Sequence, residues 1–223
     1  MSHPSLDEAR SLFRDRLIAP GDIAAAFGDV AAAGPSLPFR QDELVAAARA
    51  GEVLIYRTAS GGGEPVTIRS LIQRFPQAFD AKLLQASGYQ LKNEWGIELE
   101  PLAASDSPAE GWALFQPQVL PTSVNRSYPE QDAALRSYEE CLSLRPGTVR
   151  RRTAIEAVYD TVMCFVVRNQ RLLESTWDWT STMTVDRGLL HIGGFGSRGM
   201  QILGFSPGIR HGGLGVCPTR QPQ

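Results

Sequence analysis

Gly194-Phe195-Gly196-Ser197-Arg198-Gly199 has the spacing G-x-G-x-x-G, in which glycines can let a pyrophosphate approach the backbone at the start of a helix. Met200 to Phe205, followed by Ser206-Pro207, reads instead as a strand ending at proline. The stretch is therefore expected to be a hairpin link whose glycines take positive φ, and no dinucleotide or other cofactor is expected. A metal site needs several His, Cys or carboxylate groups to converge; His191, His211 and Cys217 lack ligand spacing and His3 is terminal, so no metal is expected either. Nucleophile signatures are also missing. There is no G-x-S-x-G, and Cys141 and Cys164 fall on apolar helical faces, where a small buried hydrophobe is the usual role. None of the 24 acids stands in a glycine-bounded or aromatic-lined setting that would raise its pKa. Arg150-Arg151-Arg152 could grip a phosphate, yet it lies just before the helix cap Thr153, where a solvated loop is expected. No catalytic residue is assigned.

The last quarter of the chain holds a different mixture. Between Gly188 and Gly215 there are ten glycines in 28 residues, and no Asp or Glu follows Asp186. On this scaffold Trp177, Trp179, His191, Phe195, Arg198, Phe205, Ile209, Arg210 and His211 combine flat apolar groups with hydrogen-bond donors, the composition that binding surfaces favour. At a period of two, half of them point inward, so Trp177, Trp179 and Phe205 suit a core as well as a ligand face. Glycine adds no side chain to a core, which places recognition at the tips: the Gly194 to Gly199 link and the Ser206 to Gly213 loop. Phe195, Arg198, Ile209, Arg210 and His211 are expected to face solvent or ligand, with Arg210 and His211 able to meet an acidic partner. A second reading is an enzyme with a cleft between the helical half and the β-region, where His191, His211, Arg210 and Asp178 would meet.

The elements that would position these residues begin with short helices. Ser5 and Glu8 form a capping box for a helix ending at Pro20, an alanine-rich segment runs from Asp22 to Ala33, and Arg40 to Ala50 ends at Gly51. Val53 to Arg57 reads as a buried strand, and helices are expected over Thr67 to Phe75 and Phe79 to Ala86. From Tyr89 to Arg126 periodicity is weak, with extended pieces around Trp95 and Trp112. Pro129 then opens a helix to Leu144, with Ala133, Leu135, Tyr138 and Leu142 inward. Thr153 and Glu156 cap another along Ile155, Val158, Tyr159, Val162, Met163 and Val166, a face expected to cover the terminal sheet. Trp177 to Val185, Leu189 to Ile192, Met200 to Phe205 and Leu214 to Val216 follow as strands. The expected class is α+β, a helical region over 1–88 followed by a mainly antiparallel region over 89–223 that can be continuous with it.

Composition bounds the function. The 223 residues are 43% apolar and 21% charged, enough for a core, and the net charge of −2 gives no drive toward nucleic acid or an anionic membrane. Three scattered cysteines fit a reducing compartment, no apolar run is long enough to span a membrane, and the N-terminus lacks the pattern of a signal peptide. A soluble, cytoplasmic protein is expected.

The order of the helix from Thr153, Trp179-Thr180-Ser181-Thr182, Leu190-His191-Ile192-Gly193-Gly194-Phe195, a glycine-linked strand and Gly213-Leu214-Gly215-Val216-Cys217-Pro218-Thr219-Arg220 resembles the C-terminal part of bacterial C-type-lectin-like domains. The resemblance covers about 70 residues. It implies a non-catalytic domain that binds a protein or small molecule, with the helical half supporting it or forming an oligomer contact. Some members are the variable proteins of diversity-generating retroelements, which change side chains near the C-terminus; Gly188 to Arg220 occupies that place here. Glu-Pro-Asn and Gln-Pro-Asp triplets are absent, so calcium-dependent sugar binding is not implied. The cysteine pair of the related sulfatase-activating enzymes is not matched either, since Cys217 stands alone, and their oxidase chemistry is not carried over.

Overall fold

A computed structural model of the chain describes residues 4–29, 34–80, 97, 100–185 and 187–222. Most of the helix expected over 79–86, the end of the one expected from Asp22, and Trp95 lie outside those residues. The first helix, α1 (Leu6–Phe13), starts on its capping box: Glu8 N donates to Ser5 Oγ at 3.2 Å and Ser5 N to the Glu8 carboxylate at 2.6 Å. Along the chain follow β1 (Leu17–Ile18), α2 (Pro20–Phe27), α3 (Gln41–Arg49), β2 (Val53–Arg57), the small hairpin β3 (Ser60–Gly61) and β4 (Glu64–Pro65), and α4 (Ile68–Arg74). Next come α5 (Leu102–Ser105), β5 (Gly111–Phe115), α6 (Asp132–Cys141), β6 (Arg150–Arg151) and α7 (Ala154–Arg168). The chain then forms β7 (Trp177–Met183), β8 (Leu189–Gly196), β9 (Gly199–Phe205), β10 (Leu214–Gly215) and β11 (Pro218–Arg220).

The architecture is α+β with mainly antiparallel sheets. A five-stranded sheet has the order β1-β2-β5-β11-β6, with only β1 and β2 parallel, and a four-stranded sheet has the order β10-β7-β8-β9, with β10 parallel to β7. Leu54 pairs with Leu114, and Thr219 with Phe115. Strands from both sides of residue 88 therefore share one sheet, and the last strand sits in its interior.

Helix α7 lies between the two sheets. Every residue from Ala154 to Cys164 is buried, so the helix is enclosed all round instead of covering the terminal sheet with one face. It touches β7 and β8, but also α2, α4, β1 and β2. The apolar pattern is legible because burial of Val158, Val162 and Met163 contributes about 1.5–3 kcal/mol per side chain. The polar residues between them are not solvated; they carry the ion network described below. Helix α6 departs from expectation in a different way. It buries Ala134 and Glu139 while Ala133 is exposed, because the Glu139 carboxylate turns inward to accept from Val149 N at 2.8 Å. Cys141, expected to be buried, is exposed at its last turn, whereas Cys164 is buried as expected.

Candidate ligand-binding face of the terminal sheet

The pairing of β7, β8 and β9 sets which side chains share a face. Trp179 opposes His191, His191 opposes Leu203, and Leu189 opposes Phe205. With a period of two, Trp177, Trp179, His191 and Phe205 lie together on the face turned away from α7. Trp179 and His191 are buried there: His191 stacks on Phe205 with ring centroids 4.6 Å apart, and Tyr128 meets Trp179 edge-on at 5.4 Å. Burial pushes the His191 pKa down to about 3, so this imidazole is neutral at neutral pH. Trp177 is half-buried at the margin, with the His211 ring edge-on to it at 5.9 Å.

Glycines define the slot for Trp177. A Cβ on Gly194, whose φ is +57°, would stand 2.9 Å from the Trp177 indole nitrogen. A Cβ on Gly213 would stand 3.1 Å from the same ring. The glycine density thus reflects close approach of backbone to an aromatic ring as well as turn geometry.

The 206–213 loop is fixed through its main chain. Ile209 N donates to Ser206 O at 3.0 Å, Tyr128 N to Pro207 O at 2.9 Å, Asn125 N to His211 O at 3.0 Å, and Trp177 N to Gly213 O at 2.7 Å. Two of these bonds come from the 125–128 segment, a support that the sequence did not reveal. Ile209, Arg210 and His211 remain exposed, with Arg210 paired to Glu130 and His211 Nδ1 accepting from Gly213 N at 3.1 Å.

Two expected surface residues depart from this face. Phe195 is fully buried, not solvent-facing; a register shift between Gly193 and Gly196 turns it into the main core, where it meets Phe165 at 5.1 Å. Arg198, at the hairpin tip, is 63% exposed but reaches the buried carboxylate of Asp80 at 3.3 Å. The arginine run also behaves differently from the solvated loop expected of it. Arg152 is fully buried, and Arg151 is nearly so, lying over the Tyr128 ring at 3.9 Å and donating to Asp132 at 2.9 Å.

Arg152 belongs to an ion network on the α7 side of β7. Its Nε donates to Asp178 Oδ2 at 2.9 Å and its Nη1 to Asp160 Oδ2 at 3.2 Å. Arg57 donates to both oxygens of Asp160, at 2.9 and 2.6 Å, and to Glu156 at 2.8 Å. Asp178 Oδ1 accepts from Cys217 N at 2.7 Å. Burial raises the Asp178 pKa, an effect opposed by the Arg152 charge. Burial would raise that of Glu156 too, but hydrogen bonds from Arg150 and the Arg57 charge overcome it and hold the group at about 2.

Asp178 is thus on the opposite face of β7 from Trp177 and Trp179, with both oxygens engaged. The four groups of the enzymatic reading do not converge: His191 is buried and Asp178 is committed, leaving only Arg210 and His211 at the surface. Among the described residues no group of His, Cys, Asp and Glu has the arrangement to hold a metal ion, and no helix is long and apolar enough to cross a membrane. No family model, curated protein or solved structure matches this chain.

Proposed function

We propose that the protein is a non-catalytic binding module that recognises a protein or small-molecule ligand through the 206–213 loop and the neighbouring edge of the terminal sheet. The observation that carries this reading is the division of labour within the loop. Its backbone is tied to residues 125, 128 and 177, while Ile209, Arg210 and His211 project outward. Side chains on such a loop can change without altering the main-chain bonds that hold it, and little backbone entropy is lost when they bind. The aromatic edge of Trp177 beside His211 adds the flat, half-exposed surface that binding hot spots favour.

The finer assignment is a C-type-lectin-like domain. Support comes from the order of α7, the antiparallel run β7 to β9, and a last strand bearing Arg220 that returns to pair with β5. A variable protein of a diversity-generating retroelement is the specific form proposed. A reverse-transcriptase gene beside this one, with a near-copy of the segment coding for Gly188 to Arg220, is the expected finding; its absence from related genomes contradicts that form and leaves plain binding standing.

The binding reading is tested by a photo-crosslinking residue placed at Ile209, with the exposed α6 position Arg136 as control. A discrete adduct from Ile209 in extract of the native source, and none from Arg136, is expected. Equal labelling at both positions contradicts the proposal.

A further inference from the structure

A groove of about 570 Å3 runs between the start of α3, the turn after α6 and the end of β11. Small-ligand sites occupy about 300–1,000 Å3, so its size suits a metabolite or a short peptide end. Arg220 lines it from within the fold, with a side chain only 3% exposed. Its Nη2 donates to Glu52 Oε2 at 2.8 Å and its Nε to Oε1 at 3.4 Å. Tyr138 holds that carboxylate in turn, donating from its hydroxyl at 2.7 Å. The guanidinium plane is thereby fixed, and Nη1 has no acceptor among the described residues.

The rim supplies a second donor. Arg145 is exposed, and its guanidinium has no ion-pair or hydrogen-bond partner among the described residues. Across the groove Arg40 is already engaged by Asp42 at 3.1 Å and Glu43 at 3.7 Å. Glu43 is further occupied in capping α3, accepting from Arg40 N at 2.8 Å. Leu142 and Leu144, both half-buried, give the walls apolar surface, while Phe39 is buried in the core behind them.

We propose that this groove binds a small organic monocarboxylate with an apolar body. The carboxylate accepts from Arg220 Nη1 and Arg145, and the body lies against Leu142 and Leu144. Charge decides between a monocarboxylate and phosphate. Arg220 is balanced by Glu52, and Arg40 faces two acids, so the free charge of Arg145 is offset across the groove. Asp42 and Glu43 oppose an anion in proportion to its charge, so a monoanion held by the two guanidinium groups is opposed less than a dianion.

The test is an amide-resolved NMR titration of the full chain with 3-phenylpropionate, 3-phenylpropanol and inorganic phosphate. Saturable shifts confined to the amides of residues 39–43, 142–145 and 220–222 are expected from the carboxylate. The alcohol and phosphate should bind at least about tenfold more weakly, the scale set by one charge-assisted hydrogen bond. Arg220→Gln also strips Glu52 of its partner, so Arg145→Gln is the deciding variant. It should keep its melting temperature and lose about tenfold in carboxylate affinity. No saturable shifts in the groove, equal binding of the alcohol or phosphate, or undiminished binding by Arg145→Gln overturns the proposal.

Discussion

Arg152 Nε donates to Asp178 Oδ2 at 2.9 Å with both side chains fully buried, and this contact ties the residue before α7's N-cap to the second residue of β7. Arg152 Nη2 also lies 2.8 Å from that oxygen, but without the geometry of a second hydrogen bond. Removing one member of a buried pair leaves the other charge desolvated, which costs about 3–5 kcal/mol. Asp178→Asn is therefore expected to lower unfolding free energy by that order in urea titration. A change below about 1 kcal/mol would indicate a solvated pair of the kind found at surfaces.

His191 carries the pH prediction. Its folded pKa is about 3 against an ordinary value of about 6.5, so the unfolded chain takes up a proton that the folded one refuses. The stability it contributes is full above pH 6.5 and is lost as pH falls from there toward 3. The expected slope approaches one proton, about 1.4 kcal/mol per pH unit, and should be reduced correspondingly in His191→Gln. An imidazole resonance of His191 that titrates near neutrality contradicts the buried stack on Phe205.

Gly199 tests the join between β9 and the chain at Phe79. Its φ is +113°, and an added Cβ would lie 2.2 Å from the Phe79 carbonyl carbon, next to the bond from Asp80 N to Met200 O at 3.0 Å. Gly199→Ala forces backbone apart and should cost about 1–3 kcal/mol or more. A melting temperature equal to wild type would show that the approach is looser.

Thiol accessibility separates the three cysteines. Cys141 is exposed, whereas burial pushes the Cys164 and Cys217 thiols well up. A maleimide should label one thiol in the native protein and three after denaturation; native labelling of Cys217 would contradict the packing of β10 and β11.

Much of the scaffold was legible because local chemistry and burial agree there. The Ser5 and Thr153 caps, the helix after Thr67, the strand at Val53, and the terminal run of strands follow from spacing alone. The ion network was not, because Arg57 lies 103 residues before Asp160 and polar residues on a helix ordinarily mark a solvated side. One signal was present: an Asp between two tryptophans in a strand must face opposite to both. At the candidate site, period two puts Trp177 and Trp179 on one side of their strand, but joining them with His191 and Phe205 on one face needs the strand register. The expectation of a surface Phe195, drawn from the glycines around it, failed because the irregularity between Gly193 and Gly196 turns the strand, which no residue pattern announces.

The most direct test of the recognition account is a paired measurement on the variant Ile209→Ala/Arg210→Ala/His211→Ala. Exposed substitutions change stability by about 0.5 kcal/mol each or less, so its melting temperature should stay within a few degrees of wild type. On a peptide and glycan array that includes acidic peptides, ligands captured by wild type should be lost. A strongly destabilised variant, or one that keeps every ligand, would contradict the assignment of recognition to this loop.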